Sequence, residues 1–304
     1  MREVGVKPEQ TILVTGVNGQ VGFELLRSLQ GLGRVVACDR SMLDLSDLDR
    51  VRSVVRELKP SIIVNPAAYT AVDKAETDVD AARRLNADVP RVLAEEAARS
   101  GASLIHYSTD YVFDGVKPGE YFEADLPDPQ NVYGLTKLEG EAAIASSGCQ
   151  HLILRTSWVY GGRGHNFLLT MLRLGVDRPE LKVVADQTGA PTWSHAIATA
   201  TSHVLAQVRG VADEAGWWGE HSGTYHLTAG GDTSWHGFAS AIFELAELPK
   251  RPIILPISAA EYPTPARRPS NSKLSNAKLA QVFGVVLPHW RESLALCLAD
   301  MQKT

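Results

Sequence analysis

The chain has 304 residues, of which 44% are hydrophobic and 21% charged, with a net charge of −5. That length buries a full core and suits one large or two small domains. Mixed charge without a basic block argues against a nucleic-acid partner, and no apolar run approaches the ~20 residues that span a bilayer.

In chain order, residues 1–10 read as a flexible leader without the apolar region of a signal peptide. "TILV" (11–14) is a short strand running into a glycine-rich turn, and Val21, Leu25, Leu26 and Leu29 then share a helical face. "RVVACD" (34–39) is a second strand, and a helix capped at Ser46 follows it. "SIIVN" (61–65) is a third strand, 79–99 a long helix, "SLIHYS" (103–108) a fourth strand and "HLILRTS" (151–157) a fifth. Strands alternating with helices predict an α/β fold, a doubly wound parallel sheet of the Rossmann type. The alternation blurs after about residue 160, where Gly, Pro and Trp become frequent and helical patterns return near 195–208, 235–247 and 289–302. The expected organisation is therefore a dinucleotide-binding domain over 11–160, with 161–304 mainly a smaller substrate lobe interleaved with it. Cys38, Cys149 and Cys297 are scattered. They suit buried thiols in a reducing cytoplasm rather than a disulfide framework or a metal site.

The turn "TGVNGQVG" puts Gly16, Gly19 and Gly22 between the first strand and the first helix. Glycines there allow a tight turn and close approach of a pyrophosphate, which the helix N-terminus then attracts. Asp39 ends the second strand, where an acid would hold the adenosine ribose, and Arg40 beside it suits a 2′-phosphate instead. The choice between NADH and NADPH therefore stays open. Asp44 and Leu45 read either as an adenine contact or as a lead-in to the helix.

Tyr133 and Lys137 are four residues apart near the start of a helix, on one face. A cation beside the phenol would lower its pKa from ~10 and make it a usable acid. Ser108 and Thr109 follow the fourth strand, at the carboxyl edge where open parallel sheets bind ligands. A Thr109 hydroxyl there would hold the oxygen that Tyr133 protonates.

The motifs "TGVNGQVG", "NPAAYTAVDKAE" (65–76), "YSTDYVFDG" (107–115), "NVYGLTKLEGE" (131–141) and "RTSWVYG" (155–161) resemble the extended short-chain dehydrogenase/reductases. More narrowly, with "DQTGAPT" and "YPTPARRPSNSKL", they resemble the dTDP-4-dehydrorhamnose reductase family from about residue 11 onward. The resemblance implies reduction of the 4-keto group of dTDP-4-dehydro-6-deoxy-L-mannose to dTDP-L-rhamnose, with hydride from NADPH or NADH and a proton from Tyr133. It implies that Gly19, Gln20 and Val21 touch the pyrophosphate and that Asp39, Asp44 and Leu45 meet the adenosine half. Ala68, Tyr69, Thr70 and Tyr107 would line the cofactor, and Lys137 would grip its ribose. Thr109, Asp110 and Trp158 would face the deoxysugar, with Asn166 and Gln187 in the same pocket. For the substrate diphosphate the candidates are Arg267, Arg268 and Lys273, with Arg268 preferred because guanidinium binds phosphate bidentately.

Family members can dimerise around magnesium held by glutamates. This chain aligns His195 and Asp300 there, and histidine is a poor ligand for that hard ion, so no metal is expected and His195 should cap or pack at its helix start. A homodimer stays open. Two other readings share the scaffold: a nucleotide-sugar epimerase, and a non-catalytic NADP-binding regulatory subunit of methionine adenosyltransferase. A dehydratase is disfavoured, because Asp110 is followed by Tyr111 where a dehydratase carries a glutamate.

Overall fold

A computed structural model describes residues 10–248 and 250–302. The leader expected over 1–10 lies outside the described residues except for Gln10. That residue is anchored: its carbonyl accepts from the Arg34 N–H and its amide donates to Glu214.

In chain order the main elements are β1 (Thr11–Val14), α1 (Gln20–Ser28), β2 (Arg34–Ala37), α2 (Leu48–Leu58), β3 (Ile62–Asn65), α3 (Val89–Ser100), β4 (Ser103–Thr109), α4 (Val132–Ser146) and β5 (Gln150–Thr156). The second half adds α5 (Phe167–Asp177), β6 (Glu180–Val184), α6 (Ser194–Gly210), β7 (Gly223–His226), α7 (Trp235–Leu245), β8 (Ile253–Ile257) and α8 (Trp290–Met301). Six strands form one sheet in the order β7-β5-β4-β3-β1-β2, and every pairing in it is parallel. This is the doubly wound α/β architecture. Residues such as Ile12, Val14, Ile105 and Leu152 pack on one face against α1 and α6, and Leu13, Ile63, Leu104 and Ile153 on the other against α2 and α3. Burial on both faces explains why the central strands read as unbroken apolar runs.

Three readings need correction. Asp47, not Ser46, caps α2, accepting from the Arg50 N–H; Ser46 is already engaged by Asp44 through both its N–H and its hydroxyl. The long helix expected over 79–99 is broken by a π-helical segment at Arg84–Asp88. Pro90 lacks the N–H that would close onto the Asn86 carbonyl, so the ladder slips by one residue there. The sixth strand, β7, was hidden in the irregular stretch "WWGEHSGTYHL". It pairs with β5, and α6 packs on α1, so the second half completes the sheet and its covering layer. The smaller lobe has its own core of Leu168, Leu181, Phe238, Ile242 and Trp290, with β6 and β8 as a parallel pair.

Candidate active site

The strand order reverses between β1 and β3, and the crevice beyond the carboxyl ends at such a point is the expected ligand site. A cleft of ≈1790 Å³ opens there. It exceeds the ~300–1,000 Å³ of one small-molecule pocket.

Its first wall is the glycine turn. Gly16 sits at φ +56°, and a Cβ on it would come within 2.9 Å of the Ala67 backbone; one on Gly22 would collide with the Gly16 carbonyl. Gly19 begins α1 without any side-chain cap, so the first-turn N–H groups beside Gln20 and Val21 face the cleft. This cradle fits a dinucleotide pyrophosphate. Asp39, Arg40, Asp44, Leu45, Ala68 and Thr70 continue the lining. Asp39 is partly spent on its own loop, accepting from the Ser41 N–H, the Ser41 hydroxyl and the Met42 N–H. Those bonds hold its carboxyl below the usual range. Arg40 is exposed at the rim.

Catalytic candidates converge where β4 meets α4. Asn131 caps α4 by accepting from the Gly134 N–H at 2.8 Å. A Cβ at Gly134 would strike the Tyr111 carbonyl, so glycine lets the helix start press against the turn that carries Thr109. Tyr133 and Thr109 both line the cleft, and the Tyr133 ring meets Tyr111 edge to face at 5.5 Å. Thr109 donates to Asp110 Oδ1 at 3.0 Å. Burial pushes the phenol up to about 12, with the nearby Thr109 hydroxyl partly opposing it.

That corrects the expected tuning. Lys137 does share a helix with Tyr133, but its ammonium turns inward, donating to the Tyr107 carbonyl at 2.6 Å and meeting His106 Nε2 at 3.0 Å. Only 1% of Lys137 is exposed, and a buried ammonium takes whatever acceptors β4 offers. Burial lowers it to about 8.

Other assignments shift in the same way. Tyr107 reaches Lys137 through its backbone carbonyl, while its hydroxyl bonds Thr201 at 2.7 Å. Tyr69 is absent from the cleft lining; its hydroxyl donates to Asp78 and its N–H to Asn86. Asn166 lines the cleft but is consumed by the fold, capping α5 and donating to Gln20 and to two carbonyls. Gln187 and Trp158 line the cleft. Arg268 lines it too, held by Asp73 at 2.8 Å. Arg267 bonds Gln130, and Lys273 sits apart near Asp232. His195 is in the first turn of α6, against the Trp193 ring and 3.1 Å from Glu24, which raises its pKa. Among the described residues no three His, Cys, Asp or Glu side chains group as a metal site.

Two features escaped the sequence. Trp235 stacks flat on Trp158 at 3.6 Å in the cleft wall, and Trp158 is held at φ +49°, an uncommon backbone state for a bulky residue. The signal was the tryptophan in "TSWHGFA". His106, at the centre of β4, touches Lys137; a histidine inside an apolar strand was its signal.

Asp110 is buried at the cleft wall with Oδ2 unpartnered, and burial raises its carboxyl to about 6. Between ~3.9, the unfolded value, and about 6 the folded form binds more protons. Stability therefore falls as pH rises through that window. Asp110→Asn should add roughly 3 kcal/mol at pH 7.5 and nothing near pH 3.5, read from thermal melts at both pH values.

The family model described as RmlD substrate binding domain matches residues 10–303. This chain belongs to the dTDP-4-dehydrorhamnose reductase family. It is 49% identical over 296 residues to the dTDP-4-dehydrorhamnose reductase of Burkholderia thailandensis, covering 95% of this chain and 98% of the relative. Against the reductase of Escherichia coli K12 the identity is 44% over 301 residues, with 96% and 98% covered. The crystal structure of the Bacillus anthracis reductase in complex with NADP superposes with a TM-score of 0.88 at 35% identity, covering 96% of this chain and 99% of that one.

Proposed function

We propose that this chain reduces the 4-keto group of dTDP-4-dehydro-6-deoxy-L-mannose to dTDP-L-rhamnose with NADPH. The observation that carries the reading is that Tyr133, Thr109 and Lys137 line one cleft with the glycine turn at the switch point of the sheet. Named relatives at 44–49% identity support the substrate.

When bound, NADPH supplies the hydride that the carbonyl carbon accepts. The N-terminus of α1 and the glycine turn would hold the pyrophosphate, and Arg40 would neutralise a 2′-phosphate. Asp39, tied to its own loop, competes weakly for the ribose, which favours NADPH over NADH. Lys137 would hold the nicotinamide ribose. Thr109 would turn its one hydroxyl proton from Asp110 to the sugar oxygen while Tyr133 delivers its proton there. A phenol at about 12 stays protonated at every working pH, so it is a standing donor. The stacked Trp158 and Trp235 would present a face to the deoxysugar, beside Asp110 and Gln187. Arg268 would leave Asp73 for the substrate diphosphate.

In this reading residues 11–160 mainly bind the dinucleotide and 161–304 mainly the sugar. No helix among the described residues is long and apolar enough to cross a membrane. The buried free thiols Cys38, Cys149 and Cys297 support a reducing cytoplasm, and the family resemblance supports a homodimer, which light scattering would test.

The test is absorbance at the reduced-nicotinamide band, with the 4-keto dTDP-sugar offered with NADPH and with NADH. Stoichiometric oxidation, faster with NADPH, is expected. No oxidation with either cofactor overturns the reading, and sugar interconversion without net oxidation would mark an epimerase instead.

A further inference from the structure

A chain of buried polar side chains runs beneath the site, from β1 to the catalytic helix. The Thr15 hydroxyl donates to Asn65 Oδ1 at 2.6 Å, the Asn65 side-chain amide lies 3.1 Å from His106 Nδ1, and His106 Nε2 lies 3.0 Å from Lys137 Nζ. Thr15, Asn65 and His106 are 0% exposed. Two of these side chains, Asn65 and His106, lie on adjacent strands of the parallel sheet, and a buried polar chain where apolar residues would pack without penalty calls for a function beyond stability.

We propose that His106, oriented by Asn65 and Thr15, is a positioning residue that fixes the Lys137 ammonium at the mouth of the cleft. The inference deepens the reading above and rests on it only for the sugar.

An ammonium has three protons to place. The Tyr107 carbonyl takes one and His106 Nε2 a second, leaving the third for a ligand in the cleft. For Nε2 to accept, the ring proton must sit on Nδ1. Asn65 must then turn its carbonyl to Nδ1 and its amide to Thr15. The opposite arrangement, with Thr15 donating to Asn65 Oδ1 and the Asn65 amide turned to Nδ1, is the one the structure holds; it puts the ring proton on Nε2 and goes with Lys137 as a neutral amine. The chain thus has two self-consistent states, one for each charge of the lysine. Burial and the neighbouring ammonium hold the imidazole well below its ordinary value, so it stays neutral and always offers one accepting nitrogen.

The other groups facing Lys137 do not supply this acceptor. Glu141, one turn along α4, favours the charged lysine, but its carboxylate is taken by Arg155 of β5. Tyr133 and Asp110 line the same cleft, where Asp110 accepts from the Thr109 hydroxyl. From β4 come only His106 and the Tyr107 carbonyl.

The test uses three variants of the full chain. His106→Leu removes the acceptor. His106→Asn keeps a polar group near Asn65 but falls short of Lys137, and serves where the leucine variant fails to fold. His106→Gln reaches as far as Nε2 and restores an acceptor. A charge-assisted hydrogen bond contributes about 1.5–3 kcal/mol, or roughly one to two pH units of lysine titration. NADPH affinity, followed by fluorescence titration from pH 6 to 9.5 without sugar, should in the Leu and Asn variants begin to fall about one unit lower in pH than in the parent. The Gln variant should titrate like the parent. In turnover assays the KM for NADPH should rise more than kcat falls. An unmoved pH limb in Leu and Asn, with a uniform loss tracking lower melting temperature, would make His106 merely structural and overturn the proposal. A shifted binding limb with no turnover of the sugar in any protein would instead sink the substrate assignment and leave the His106 role standing.

Discussion

Tyr133→Phe is expected to lower kcat by about 10²–10⁴-fold, the usual contribution of a positioned general acid, while NADPH affinity stays unchanged. The ring that meets Tyr111 is retained and only the hydroxyl is lost. Stopped-flow turnover and fluorescence titration on the same preparation separate the two quantities. Unchanged turnover would end the phenol's role as donor. The expected rate loss should also be flat from pH 6 to 8, because the parent phenol does not ionise in that range. A phenol tuned to near neutrality by the lysine would instead give a loss that varied with pH.

The second large effect lies behind the site. Glu141 and Arg155 form a buried pair, with Nε–Oε1 at 2.9 Å and Nη2–Oε2 at 2.6 Å, and the guanidinium also lies 5.0 Å from the Phe113 ring. Glu141→Ala leaves a buried cation without its counter-charge and should remove about 3–5 kcal/mol of stability, seen as a lower urea midpoint and melting temperature. Replacing both partners with leucine should recover most of that loss, since a buried pair is often no better than well-packed apolar residues. A single variant as stable as the parent would show that the guanidinium finds another acceptor. Glu141 also favours the charged state of Lys137, so both the single and the double variant should begin to lose NADPH affinity at lower pH. The double variant separates this electrostatic effect from instability.

How much was legible follows the distance over which each feature acts. The glycine turn, the α1 face and the Tyr133–Lys137 offset depend on neighbours within a few residues, and their spacing displays them. The π-helical break at Arg84–Asp88 is also local, and Pro90 announces it. Asn166 both lines the cleft and caps α5, two roles that look alike in sequence because a capping asparagine and a ligand-binding one carry the same side chain. Trp158 and Trp235 are 77 positions apart in number order, and nothing in either neighbourhood says that they stack. β7 was missed because its four residues carry no alternation; its identity as a strand comes from pairing with β5.

By itself the sequence determined the order of the first five strands, the phosphate-binding turn and the residue types brought to the carboxyl edge of the sheet, because periodicity, capping and glycine placement act along the chain. Only the tertiary structure decided which way those side chains face. Lys137 turned toward His106 and the Tyr107 carbonyl rather than toward the Tyr133 phenol, and that choice belongs to burial: once an ammonium is enclosed, it goes to the acceptors that other strands happen to place within 3 Å.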